Sequence, residues 1–166
     1  YNQYFAPYKA AAEAGAGSFM TSFNIVDGVP ATANKWLIDD VLRKEWKFDG
    51  FVVTDYGSIN EMMMHGVGNP LSNTAQALKA GTDMDMCSEA FVRNLKTCLE
   101  KGTVKESDID QACRRVLEAK YKLGLFADPY RSCDAKREKT ELYTAANRSV
   151  ARDMAAETFV LLKNQN

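Results

Sequence analysis

With 166 residues the chain is long enough for one domain with its own core, and folding would remove roughly 70% of the unfolded chain's surface from water. Hydrophobic residues at 46% and charged residues at 26% exclude a disordered, collagenous or disulfide-packed chain. The 21 Lys and Arg residues against 22 Asp and Glu residues leave a net charge of −1, so neither a nucleic acid nor an acidic membrane surface is an expected partner.

No apolar run approaches the roughly 20 residues that cross a bilayer, and Tyr1 is not followed by a secretory signal pattern. Cys87, Cys98, Cys113 and Cys133 contain no C-x-x-C pair and read as buried free thiols. His65, the single histidine, cannot by itself make a structural zinc site. No metal and no organic cofactor is therefore expected.

The first predicted element is a helix over Phe5 to Ala14, with Pro7 in its opening turn. A strand follows at Gly17 to Phe23. The spacing of Leu37, Ile38, Val41 and Leu42 then predicts a helix over Asn34 to Trp46. A second strand is predicted at Gly50 to Thr54, a helix at Leu71 to Ala80, and a third strand at Gly81 to Met86. Strand starts lie about 30 residues apart, and a (β/α)8 barrel divides about 250 residues into eight such units. Neither G-x-G-x-x-G nor G-x-x-x-x-G-K-[ST] occurs, which disfavours a nucleotide-binding sheet. The expectation is the last part of a TIM barrel. Three parallel strands leave two open edges, so the isolated segment is expected to self-associate or to pair with missing parts of its own parent chain.

Two helices in succession follow. The first is predicted to be capped by Ser88, with a stripe of Phe91, Val92, Leu95, Cys98 and Leu99 and a stop at Gly102. Ser107 with Asp110 opens the second, whose stripe is Ile109, Ala112, Cys113, Val116 and Leu117. Residues Phe126 to Thr140 lack apolar periodicity and read as a surface connection. A helix over Leu142 to Glu157 presents Leu142, Ala146, Val150 and Met154 on one face, and Phe159 to Lys163 reads as the first strand of a further domain.

In a barrel, reactive side chains stand at the C-terminal ends of strands. Asp55, carried by the apolar run Phe51 to Thr54, is placed there as a nucleophile, a base, a substrate anchor or simply a helix cap. Tyr56 can stack on a sugar or pack against the rim. Ser58 and Glu61 have capping-box spacing, and His65 lies one turn after Glu61. Asp83 and Asp85 alternate along one strand, as an acid/base pair or, preferred here, as parts of structural hydrogen bonds. The methionines Met62, Met63, Met64, Met84 and Met86 read as core or pocket lining.

Taken together, MTSFNIVDGVPATANKWLIDDVLRKEWKFDGFVVTDYGSINEMMMHG, KAGTDMDM, VLEAKYKLGLFADPY and ETFVLLKN resemble glycoside hydrolase family 3, and most closely its periplasmic beta-glucosidase branch. The resemblance implies an α/β fold: strands 6 to 8 of a (β/α)8 barrel over 1–125, a connector and linker helix over 126–158, and the start of an α/β sandwich domain over 159–166. It implies a retaining exo-beta-glycosidase, a beta-glucosidase or beta-xylosidase, with Asp55 in VVTDYGS as the nucleophile that forms a covalent glycosyl-enzyme. Tyr56, Phe23 and Met86 are implied as substrate-binding residues, a glycoside as the substrate, and a periplasmic or secreted location. The family's acid/base and early-barrel sugar ligands are expected outside these residues, so the isolated chain is expected to be inactive. Phe23 stands where many members carry Tyr, Tyr56 where many carry Trp, and Cys87 where Pro is frequent. The rival reading is a non-catalytic half-barrel that binds carbohydrate or serves a structural role.

Overall fold

The computed structural model describes residues 2–165. Its organising element is a pair of short parallel strands, β1 (Ser18–Met20) and β4 (Phe51–Val53), registered Ser18 to Phe51, Phe19 to Val52 and Met20 to Val53. The fold is mixed α/β. Residues 1–126 and 127–166 form two compact units.

The third predicted strand runs beside β4 but makes a single parallel bridge, Val53 to Met84. The cause lies in Asp83. The Val52 carbonyl accepts from both the Asp83 N–H (2.8 Å) and the Met84 N–H (3.0 Å), while the Val52 N–H donates to the Asp83 carboxylate at 2.8 Å instead of to a backbone carbonyl. A side chain thus replaces one rung of the ladder, and the regular strand pattern is lost.

Between β1 and β4 the chain makes a small antiparallel hairpin, β2 (Ile25–Val26) with β3 (Val29–Pro30). Asp27 and Gly28, at φ of 51° and 78°, form its two-residue turn. Asp-Gly between apolar residues is the preferred chemistry for such a turn, and it is a signal that apolar periodicity does not carry. A 3-10 turn (Ala31–Ala33) follows, then a helix over Trp36–Glu45 wound with i to i+5 hydrogen bonding. The Asn34 side chain anchors this helix twice, accepting from the Leu37 N–H (3.0 Å) and donating to the Val26 carbonyl (2.9 Å).

Ile38, Val41 and Leu42 are buried along that helix, as the spacing predicts. Ile38, Leu42, Phe48, Val52 and Ala80 make one core cluster, with Phe19 and Trp46 packed against it. Phe19 and Phe48 meet edge to face at 4.8 Å, a favoured aromatic geometry. A Cβ on Gly50 would lie 2.3 Å from the Gly17 carbonyl oxygen, so only glycine fits at the entry to β4.

Helix α1 (Phe5–Glu13) forms close to its predicted span. Helix α2 (Ser58–Glu61) is a single turn, and α3 (Pro70–Ala80) has a capping box formed by Asn69 and Ser72. Helices α4 (Ala90–Glu100) and α5 (Glu106–Lys122) enclose a second cluster with α3, centred on Ala75, Leu78, Cys98, Val104 and Ala112. Two caps differ from expectation. Asp85, not Ser88, accepts from the first N–H groups of α4, at 2.7 Å from Ala90 and 3.3 Å from Phe91, because a carboxylate in a preceding loop reaches two donors at once. Asp108, not Asp110, closes the start of α5 by accepting from the Lys105 N–H at 2.9 Å.

Of the predicted stripes, Val92, Leu99, Cys113 and Leu117 are exposed. Among the cysteines only Cys98 is buried, and all four thiols are free. An apolar cavity of about 500 Å³ lies along β1, lined in part by Phe5, Tyr8, Phe19, Met20, Leu37 and Trp46. Among the described strands the outer edge of β1 has no partner.

The unit from residue 127 contains α6 (Ala135–Glu141) and α7 (Ala145–Glu157). The first falls inside the stretch read as a connection. Asp134 caps it, and Arg137 pairs with Glu141 one turn on, so charge and capping make a helix without an apolar stripe. Thr144 caps α7 through the Asn147 N–H. Its predicted face, including Leu142, Val150 and Met154, is exposed. The predicted strand at Phe159 to Lys163 is not formed, since no described backbone pairs with it.

Candidate active site

Strand β4 is a three-residue apolar element with Val52 at 1% exposure, and it delivers Thr54 and Asp55 at its C-terminal end. Three neighbouring segments are tied together there. The Thr21 N–H donates to the Val53 carbonyl (2.9 Å), and the Thr54 N–H to the Met84 carbonyl (2.9 Å). The Met86 N–H donates to the Thr54 hydroxyl (2.8 Å), and the Gly57 N–H to the Met86 carbonyl (2.8 Å).

Asp55 therefore sits in a turn fixed at both ends. Gly57, at φ of 70°, reverses the chain into α2, a conformation that costs other residues more. The Ser58 N–H closes the turn onto the Asp55 carbonyl at 3.2 Å. The Asp55 side chain is half-buried, and among the described residues its polar contact is the Tyr56 N–H at 2.6 Å. Among the described residues its other oxygen, Oδ2, has no hydrogen-bond partner.

Around it, the Tyr56 ring is 69% exposed and Phe23 37% exposed, while Met86 is half-buried. The backbone thus brings Asp55, Tyr56 and Met86 together, and Phe23 stands two residues beyond the Thr21 anchor in the loop that follows β1. One expected local feature falls out differently, while the local pair of Glu61 and His65 forms as expected. Ser58 does not complete a capping box with Glu61; its hydroxyl bonds Thr32 at 2.7 Å. Glu61 instead faces His65 across one turn, at 3.9 Å.

Asp83 and Asp85 are both committed to the scaffold. The Asp83 carboxylate, 1% exposed, binds Arg43 (2.5 Å) and Arg115 (2.8 Å), and Arg43 also donates to the Gly50 and Gly81 carbonyls at 2.9 and 3.1 Å. Burial lowers the Arg43 pKa from its ordinary value, and the Asp83 charge opposes that shift.

Beneath the Asp55 turn lies a chain of hydroxyls that sequence patterning does not reveal. Thr32 bonds Thr21 at 2.9 Å and Ser58 at 2.7 Å, and the Thr82 hydroxyl donates to the Thr32 carbonyl at 3.0 Å. All four residues are buried.

Residues 1–119 match the sequence profile of the glycosyl hydrolase family 3 N terminal domain. The chain belongs to glycosyl hydrolase family 3. The family 3 chain is 41% identical over 169 residues to a periplasmic beta-glucosidase of Salmonella typhimurium, covering 99% of this chain and 22% of the relative. It is 37% identical over 173 residues to a beta-xylosidase of Formosa agariphila, covering 98% and 24%. A crystal structure of beta-glucosidase from Listeria innocua superimposes with a TM-score of 0.85 at 40% identity, over 98% of this chain and 22% of that one. The chain spans about a fifth to a quarter of the length of these relatives.

Proposed function

We propose that this family 3 chain is part of a retaining exo-beta-glycosidase, a beta-glucosidase or beta-xylosidase, and that Asp55 is its nucleophile. The observation that carries the reading is the Asp55 carboxylate at the C-terminal end of β4, held in a turn whose ends are bonded to both neighbouring segments. In this reading 1–125 supply strands 6 to 8 of a (β/α)8 barrel, 126–158 a connector and linker helix, and 159–166 the start of an α/β sandwich domain. The names of the Salmonella and Formosa relatives support the substrate class, and the former supports a periplasmic or secreted location.

The chemistry proceeds in two displacements. An Asp55 carboxylate oxygen attacks the anomeric carbon as the glycosidic C–O bond breaks, and a general acid protonates the departing oxygen. Water, deprotonated by the same group, then attacks the anomeric carbon and expels Asp55 with retained configuration. The acid/base and most groups that grip the sugar are assigned to other parts of the parent protein. Tyr56 offers an exposed ring face for the sugar, with Phe23 and Met86 as adjoining wall. Phe23 has no hydroxyl to bond the nucleophile, in keeping with the single hydrogen bond that the Asp55 carboxylate makes among the described residues.

The decisive experiment treats the intact parent with a slow-turnover fluorinated glycoside and maps the adduct. It is expected on the peptide Val52 to Ser58, as an ester of Asp55; an adduct on Asp83, Asp85 or Glu61 would move the role there. A companion measurement uses the isolated 166-residue chain. Loss of general acid/base help alone lowers turnover of aryl beta-glucosides about 100-fold or more. The open edge of β1 and its apolar cavity favour self-association or pairing with the missing parts of the parent. Turnover at the intact enzyme's rate by a compact monomer would contradict both expectations.

A further inference from the structure

We propose that Thr32 is a positioning residue for the Asp55 carboxylate, acting through Ser58; the inference rests on Asp55 being the nucleophile. Among the described residues the hydroxyl and carbonyl of Thr32 bond Thr21, Ser58 and Thr82, and neither bonds Asp55. Its hydroxyl is the middle member of a buried chain, Thr21 to Thr32 to Ser58, with links of 2.9 and 2.7 Å. The three residues are 8%, 1% and 3% exposed, so water does not compete for these bonds.

The chain spans elements that are far apart in sequence and meet at the site. Thr21 is fixed to β4 through its N–H on the Val53 carbonyl. Thr32 is fixed to the segment beyond β4, because its carbonyl accepts from the Thr82 hydroxyl at 3.0 Å. Ser58 closes the Asp55 turn through its N–H on the Asp55 carbonyl. Thr32 is therefore the point from which the end of β1 and the segment at Thr82 reach the far side of the nucleophile's turn.

The near side is held separately, by the Gly57 N–H on the Met86 carbonyl. The hydroxyl link at Ser58 adds to the ties of Thr54 to Met84 and Met86, of Gly57 to Met86 and of Asn60 to the Ser88 carbonyl in setting the tilt of the turn. Among the described residues the Asp55 carboxylate has a single hydrogen bond, and it is with the next residue of the same turn, so the side chain follows wherever the turn goes. Displacement of a reacting group by about 1 Å costs on the order of 100-fold in rate, so a tilt of the turn on losing the Ser58 link is expected to be felt at the Asp55 carboxylate. The Thr32 hydroxyl is a partner in both links whichever atom donates, so an isosteric Val breaks both at once.

The test compares Thr32→Val, Thr32→Ser and Ser58→Ala in the intact parent enzyme. The readout is covalent inactivation by the fluorinated glycoside, which separates binding of the reagent from the rate constant of glycosylation. Thr32→Val and Ser58→Ala are expected to lower that rate constant about 10- to 100-fold, with binding changed less than about twofold. Thr32→Ser restores the hydroxyl and is expected within about threefold of the wild type. Should Thr32→Val fail to fold, Ser58→Ala decides. Wild-type glycosylation rates in the folded variants, or losses confined to reagent binding, would overturn the positioning role. Failure of the wild-type enzyme to form an adduct on Asp55 would instead overturn the functional assignment.

Discussion

Asp55→Asn in the intact enzyme is expected to lower glycosyl-enzyme formation by several orders of magnitude while leaving the folded state nearly as stable. The chemical half of that expectation follows from exchanging an anionic oxygen for a neutral amide, which cannot form the ester intermediate. The structural half follows from the contacts. Asp55 accepts from the Tyr56 N–H at 2.6 Å, and the amide oxygen of Asn can keep that bond in the same volume. No buried ion pair is broken among the described residues. Single-turnover kinetics measures the first half and a denaturant titration the second. A variant with near-native turnover would leave Asp55 as part of the turn and no more.

The opposite pattern is expected of Asp83. Asp83→Ala removes the carboxylate that joins Arg43, Arg115 and the Val52 N–H at a place where the Asp83 side chain is 1% exposed. It leaves two guanidinium groups facing one another, with the Arg43 side chain only 8% exposed, and a backbone N–H without its acceptor. Breaking a buried charge cluster from one side costs about 3–5 kcal/mol, far above the value of a surface pair. The denaturation midpoint of the intact protein should fall accordingly, with the slope of the transition unchanged. Asp83→Asn keeps an oxygen for one donor and should lose less, and the adduct on Asp55 should persist in it. A loss under about 1 kcal/mol for Asp83→Ala would show that the arginines find other partners.

The two aspartates also show what patterning along the chain can and cannot reveal. Asp55 was legible because a short β-branched run ends on it, and the spacing of Ile38, Val41 and Leu42 predicted a buried helical face without further information. The run Gly81 to Met86 looked like an equivalent strand, but Asp83 substitutes its side chain for a backbone acceptor, a choice visible only once Val52 is opposite. Ser58 and Ser88 were read as caps on local spacing. Ser58 is taken by Thr32, from another part of the chain, while Asp85 outreaches Ser88 at the start of α4. Local rules rank the partners within a turn, and the fold supplies competitors from outside it. Helix α6 escaped notice for the opposite reason: its support is capping and charge, with no apolar stripe to give it a period. The strand expected at Phe159 to Lys163 has the right composition, yet a strand is a relation between two segments, and composition describes one.

The rung that Asp83 supplies also bears on how the segments find one another during folding. Parallel backbone ladders recur along a strand, so a neighbour displaced along its length can still find hydrogen-bonding partners. Here a one-residue slip of the segment around Asp83 would bring Thr82 or Met84 against the Val52 N–H. It would also drag the carboxylate away from Arg43 and Arg115, leaving charges stranded in the interior. A two-residue slip offers Asp85 in its place, but strips the first turn of α4 of its acceptor. Misaligned pairings thereby lose the contacts of one aspartate or the other, and the aligned one keeps both the Asp83 rung and the Asp85 cap.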